Sequence, residues 1–198
     1  MQLPTLGKTI LTACAAILLS GCVAMREKGT INLPEYQTSK PSVYLTASYS
    51  SYKNGQLRAF MNEYCRKDLL KTAEQKAKQT NLFGAIHTEN QPTDLQIHCA
   101  LRCEMTHNWA DFWMSVATLQ LYAEPYTYEY TLRTTVMDRR TKKKHTFTSN
   151  DILTTYNSIW LLPVAPFMPL TTRAKEMEQY LFDSTVAWIA QKGLLTAP

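Results

Sequence analysis

The stretch Leu95-Gln96-Ile97-His98-Cys99-Ala100-Leu101-Arg102-Cys103-Glu104-Met105-Thr106 alternates two kinds of side chain without a break. Successive residues of a strand point to opposite faces, so Leu95, Ile97, Cys99, Leu101, Cys103 and Met105 share one face. Gln96, His98, Ala100, Arg102, Glu104 and Thr106 share the other. The pattern predicts a long strand with one face in a core and one in water.

Working outward, Tyr126–Asp138 and Lys144 to about Tyr156 predict two more long strands. Arg139-Arg140-Thr141-Lys142-Lys143 joins them as a hairpin with a basic tip. Upstream, Val43, Leu45, Ala47 and Tyr49 alternate with Tyr44, Thr46 and Ser48, as in a half-buried strand. Asn54 and Gly55 are expected to open a helix whose stripe is Leu57, Phe60, Met61, Tyr64, Cys65, Leu69 and Ala73. A second amphipathic helix is predicted from Thr172 to Gly193, with a threonine as N-cap and Met177, Tyr180, Leu181, Ser184 and Trp188 on one stripe. The fold class is therefore α+β: a mainly antiparallel sheet of about four strands, with two amphipathic helices packed on one face.

The N-terminus carries a different message. Residues 1–21 read as a signal peptide, with Lys8 near the start, an apolar run from Thr9 to Leu19 and small residues after it. That run is about half of the roughly 20 residues a spanning helix needs. Leu19, Ser20, Gly21 and Cys22 form the pattern at which bacterial lipoproteins are acylated and cleaved, with Cys22 as lipidation site. The thiol is required because only a thiolate is nucleophilic enough to take the lipid under mild conditions. Residues 22–42 hold Gly29, Pro34 and Pro41 with little periodicity, and are expected to be a lipidated N-terminus and short tether. Residues 43–195 are expected to be one globular domain.

Composition narrows the partners. The formal charge of +5 falls by one when the segment with Lys8 is removed, a modest excess that gives no reason to expect nucleic acid. The chain has six glycines and no GxSxG, HExxH or glycine-rich phosphate loop. His98 and Cys99 are strand neighbours whose side chains diverge, so they cannot act as a dyad. Cys99 and Cys103 lack the paired CxxC spacing of a structural zinc site. No enzyme, metal or other cofactor is expected. Cys99 and Cys103 would stand about 13 Å apart on a strand, too far for a disulfide. Cys65 could meet either of them across the core, or all three could stay free.

Two apolar stretches are hard to file as ordinary core. One, from Trp109 to Tyr122, holds Trp109, Phe112, Trp113, Met114, Val116, Leu119 and Leu121; the other holds Trp160, Leu161, Leu162 and Phe167 among three prolines that exclude a regular helix. They either pack on their own domain or form a contact surface for a partner or a bilayer. Arg139, Arg140, Lys142, Lys143 and Lys144 read as a solvated turn, or as a contact with lipid headgroups beside the anchor.

The pattern Leu19–Cys22, the segment Met114–Pro125 and the loop Ser158–Pro163 together resemble small uncharacterised proteobacterial envelope lipoproteins. The resemblance implies a diacylglyceryl cysteine with palmitate-type chains and a bilayer as partner through acylated Cys22. Val23 stands where an aspartate would signal inner-membrane retention, so the outer membrane, facing the periplasm, is expected. The functional expectation is a non-catalytic docking or assembly component with an envelope protein partner. The alternative is a periplasm-facing binding protein for an apolar ligand or lipid.

Overall fold

A computed structural model of the chain describes residues 21–26, 40–59, 62–161 and 170–195. In chain order its elements are β1 (Gly21–Arg26), β2 (Val43–Lys53), β3 (Gln56–Arg58), α1 (Asn62–Thr80), β4 (Ile86–His87), β5 (Leu95–Thr106), α2 (Trp109–Ala117), β6 (Glu124–Asp138), β7 (Lys143–Ser158), a 3-10 turn at Ile159–Leu161, and α3 (Leu170–Gln191). The strands form one sheet in the order β1-β7-β6-β5-β2-β3, with β4 also beside β2.

The α+β class stands, and the finer picture needs correcting. The sheet has seven strands and is mixed, because β2 runs parallel to both β4 and β5. The passage β2–α1–β5 is a crossover, which requires a helix-length connection and yields a parallel pair. β3 and β4 span three and two residues, too short for periodicity to reveal. There are three helices among the described residues rather than two.

Asn54 and Gly55 do not open a helix. Their φ values of 48° and 79° make them the turn of the β2–β3 hairpin, where Lys53 pairs with Gln56. Two positive φ angles in succession match the right-handed twist of flanking strands, which is why Asn-Gly favours such turns. Leu57 is consequently an exposed strand residue, and the helix begins at Asn62. Phe60 and Met61 lie outside the described residues.

The core lies on one face of the sheet. Leu69, Ala73 and Ala77 of α1 and Met177, Leu181, Phe182, Val186, Ile189 and Ala190 of α3 cover Val43, Leu45, Leu95, Ile97, Leu101, Leu132, Val136 and Leu153. Phe147 and Trp188 stack at 5.2 Å between ring centres. α3 starts at Leu170, ahead of the threonine expected to cap it. Its other end follows the predicted stop: Gly193 has φ 68°, and the Leu194 N–H donates to the Ile189 carbonyl at 3.3 Å.

The expected tether departs from the structure at its start. Gly21–Arg26 is a strand on the edge of the sheet, pairing antiparallel with β7 from Gly21 opposite Ser158 to Arg26 opposite Leu153. Arg26 Nε donates to Asp151 Oδ2 at 2.6 Å, with the two side chains 6% and 0% exposed. An unpaired Asp151 carboxylate at that depth would be costly, so the guanidinium ties the edge strand to the core. Residues 27–39 of the expected tether lie outside the described residues.

Candidate docking surface at one end of the sheet

The site is built where β5 ends. Asn54 of the β2–β3 turn accepts the His107 backbone N–H at 3.0 Å and donates its amide to the His107 carbonyl at 3.2 Å. This fixes the chain just past the strand. Asn108 then caps α2, its side chain accepting from the Ala110 N–H at 3.0 Å.

His107 is buried beneath the first turn of that helix. Its Nε2 lies 2.7 Å from Glu124 Oε1, and its ring stacks on Tyr126 at 4.9 Å. Trp109 and Phe112 meet the same ring edge-on at 5.7 and 6.2 Å. Burial, then the hydrogen bond with Glu124, push the Tyr126 hydroxyl well above its ordinary pKa. The His107–Glu124 pair is sealed from solvent and holds the aromatic cluster in place.

On this support α2 turns its large side chains outward. Only Ser115 of the helix is buried. Trp109 and Trp113 are each 63% exposed, Met114 and Val116 stand out beside them, and Phe112 is half-buried. After the helix, Leu119 and Gln120 adopt φ values of 50° and 64°. Left-handed backbone at two residues that are not glycine costs energy, on the order of 1 kcal/mol or more each. The result is that Leu119 and Leu121 also point into solvent.

The second apolar stretch joins the first through one buried serine. Ser158 Oγ donates to the Gln120 carbonyl at 2.9 Å and accepts from the Trp160 N–H at 3.3 Å. The Ile159 N–H adds a bond to the same carbonyl at 3.1 Å. Trp160 is 70% exposed and Leu161 is half-buried. Leu162 and Phe167, and Leu19 and Ser20 of the lipidation pattern, lie outside the described residues. Gly21 and Cys22 stand in β1, opposite Ser158 and Asn157.

The surface thus gathers Trp109, Trp113, Met114, Val116, Leu119, Leu121 and Trp160 at one end of the sheet. Sequence spacing gives no sign that His107 pairs with Glu124 or that Ser158 bonds to Gln120. Nothing at Thr118-Leu119-Gln120 announces a left-handed turn, since that backbone favours glycine or asparagine.

Three other expected features fall elsewhere. The basic turn is at the opposite end of β6 and β7, about 45 Å away for strands of this length, so it stands far from Cys22. Arg140 there is committed to Asp138 at 3.0 Å and to the Leu194 carbonyl at 3.0 Å, and its guanidinium holds the Asp138 carboxyl below the usual carboxylate range. His98 lies on the face of the sheet away from the helices, between Thr46 and Ser48 at 3.0 and 3.1 Å, while Cys99 is in the core, where burial pushes its thiol up to about 12. Between helices and sheet, the gap bordered by Leu45, Ala73, Phe83, Ile97 and Phe182 is about 30 Å³, the room of one water molecule.

No family model matches the chain, and no curated protein matches it. Among solved structures it is similar to a Xanthomonas campestris protein of the DUF330 family, at 12% identity over 84% of this chain and 95% of that one, with a TM-score of 0.45. It is also similar to a PelC dodecamer from Paraburkholderia phytofirmans, at 8% identity over 79% and 97% of the two chains, with a TM-score of 0.29. At such identities and scores these likenesses say nothing about what the chain does.

Proposed function

We propose that this protein is a lipid-anchored, non-catalytic component of the bacterial outer membrane, whose Trp-bearing end lies against the bilayer that holds its acyl chains. The observation that supports it is the register of β1, which sets Cys22 opposite Asn157, one residue from the serine that joins the two apolar stretches. If cleavage makes Cys22 the mature N-terminus, the chain enters the sheet at once. No slack then separates the acyl chains from the domain, and the end bearing Trp160, Leu119 and Trp113 faces the membrane.

The chemistry of that end suits the place. Tryptophan favours the membrane–water interface, where its ring is buried and its N–H stays hydrated. Two or three acyl chains contribute about 0.8 kcal/mol per buried methylene, so they supply the affinity. The exposed tryptophans and leucines set the orientation. The opposite, basic end then points into the periplasm, available to an envelope protein partner. Between helices and sheet the gap of about 30 Å³ leaves no room for an apolar ligand at that place.

Two measurements test it. Mass spectrometry of the full chain from a Gram-negative envelope should find acylated Cys22 at the N-terminus, and Cys22→Ser should abolish both acylation and membrane retention; a mature N-terminus elsewhere refutes the anchor. Separately, the Cys22→Ser domain should bind phosphatidylethanolamine–phosphatidylglycerol vesicles. Changing Trp109, Trp113 and Trp160 to serine should weaken that binding about tenfold or more. Equal binding refutes the contact surface.

A further inference from the structure

The face of the sheet away from the helices carries mostly polar side chains, in rows set by the strand register. One row reads Ser48, Ala100, Arg133 and Thr148 across β2, β5, β6 and β7, and the next reads Ser50, Arg102, Thr131 and Asn150. Ala100 is the smallest side chain that β5 turns to this face, its companions being Gln96, His98, Arg102, Glu104 and Thr106. The surface therefore dips there. The dent holds about 270 Å³ and is bordered by Ser48, Ser50, Ala100, Arg102, Thr131 and Arg133.

Its two guanidinium groups are not alike. Arg102 Nη2 donates to Glu104 Oε2 at 2.7 Å, and the same guanidinium lies 4.3 Å from the centre of the Tyr52 ring. Glu104 stands opposite Glu129 in the row beyond Arg102, so Arg102 is held as a wall between the dent and both acids. Arg133 is exposed, and its guanidinium has no hydrogen-bond or ion-pair partner among the described residues. A full positive charge and its N–H donors are thus left for an anionic oxygen.

The opposite wall offers an acceptor. The Thr46 hydroxyl donates to the Ile97 carbonyl at 3.4 Å, so its oxygen accepts the proton of His98 Nδ1 at 3.0 Å. That network assigns His98 the tautomer in which Nε2 is bare and accepts from the Ser48 hydroxyl at 3.1 Å. With its hydrogen spent on His98, Ser48 Oγ keeps lone pairs for a hydroxyl of a ligand.

We propose that this dent is a binding site for a small polyhydroxylated anion, with a carboxylate or phosphate on Arg133 and hydroxyls on Ser48, Ser50 and Thr131. Either anion can take two parallel N–H donors from one guanidinium. A cavity of about 150 Å³ takes benzene, so this dent admits a body of about a dozen non-hydrogen atoms. The site depends neither on the anchor nor on the Trp-bearing end.

The purified full chain, isotope-labelled, is titrated separately with glucuronate, glycerol phosphate and uncharged glucose while its amide NMR signals are followed. Saturable shifts at Ser48, Ala100 and Arg133 are expected with at least one anion, at a Kd on the order of 1 mM, and none with glucose. Shifts with glucuronate alone identify a sugar acid as the ligand class. Shifts with glycerol phosphate alone identify a phosphate ester such as a lipid headgroup. Arg133→Gln should weaken binding about tenfold or more. Ala100→Val, which fills the dent with a residue that strands accept, should do the same. Arg133 is exposed, so Arg133→Gln keeps the fold and decides by itself. No saturable shift with either anion, equal shifts with glucose, shifts confined to Lys142, Lys143 and Lys144, or unchanged affinity in Arg133→Gln overturns the proposal.

Discussion

The Ser158 hydroxyl donates to the Gln120 carbonyl at 2.9 Å across 38 residues of chain, and the same oxygen accepts the Trp160 N–H. Ser158 is fully buried, so neither partner can be replaced there by bulk water. Ser158→Ala leaves the Trp160 N–H without this acceptor and Gln120 with the Ile159 N–H alone. A loss of about 1–3 kcal/mol in stability is expected in urea unfolding. Vesicle binding should fall with it, since Leu119 and Trp160 are no longer held in one surface.

The edge strand makes a sharper prediction. Asp151→Ala removes the buried partner of Arg26 and should cost about 3–5 kcal/mol, whereas replacing both residues with leucine should cost much less. Because the pair holds β1 in place, limited digestion with trypsin should cut after Arg26 faster in Asp151→Ala than in the parent. Equal cutting rates would show that the ladder with β7 holds the strand unaided.

Gln120 is predicted to be a residue kept against stability. It has φ 64°, and its side-chain Oε1 is buried without a partner. Gln120→Gly removes both penalties and keeps the backbone carbonyl that receives Ser158. Stability should rise by about 1 kcal/mol, read as a higher melting temperature.

Acid sensitivity follows from two carboxylates at the far end of the sheet. Asp94 accepts the Ser42 N–H and hydroxyl at 2.7 and 2.8 Å, and Asp138 accepts from Arg140; both are held below the ordinary carboxylate value. A lowered folded-state pKa means that the unfolded chain binds protons first as pH falls. Their stabilisation is complete above about pH 4 and is lost as pH drops through the folded values. Asp94→Asn should therefore flatten the acid limb of a stability–pH curve, while leaving its slope above pH 6 unchanged.

Much of the fold is legible from local pattern. The alternation at Leu95–Thr106 places β5 to the residue, and the same logic finds most of β2, β6 and β7 because each has one face in the core. The misses share a cause. Asn54-Gly55 could be read as a helix start or a hairpin turn, and only the pairing of Lys53 with Gln56 decides between them. β1 has no periodicity to announce it and exists because β7 offers a free edge and Asp151 a buried charge. The tryptophans were legible as unusual, but not as exposed.

Residue order alone specifies the strand and helix periods and the Leu19–Cys22 pattern read as a lipidation signal, because each depends on spacing along the chain. Tertiary structure decided that β2 and β5 run parallel, that Gly21–Arg26 belongs to the sheet, and that Trp113, Leu119 and Trp160 share one end with Cys22. Those relations rest on pairings between segments far apart in sequence, such as Ser158 with Gln120 and Arg26 with Asp151. Burial and hydrogen-bond satisfaction select such pairings only once the whole chain has packed.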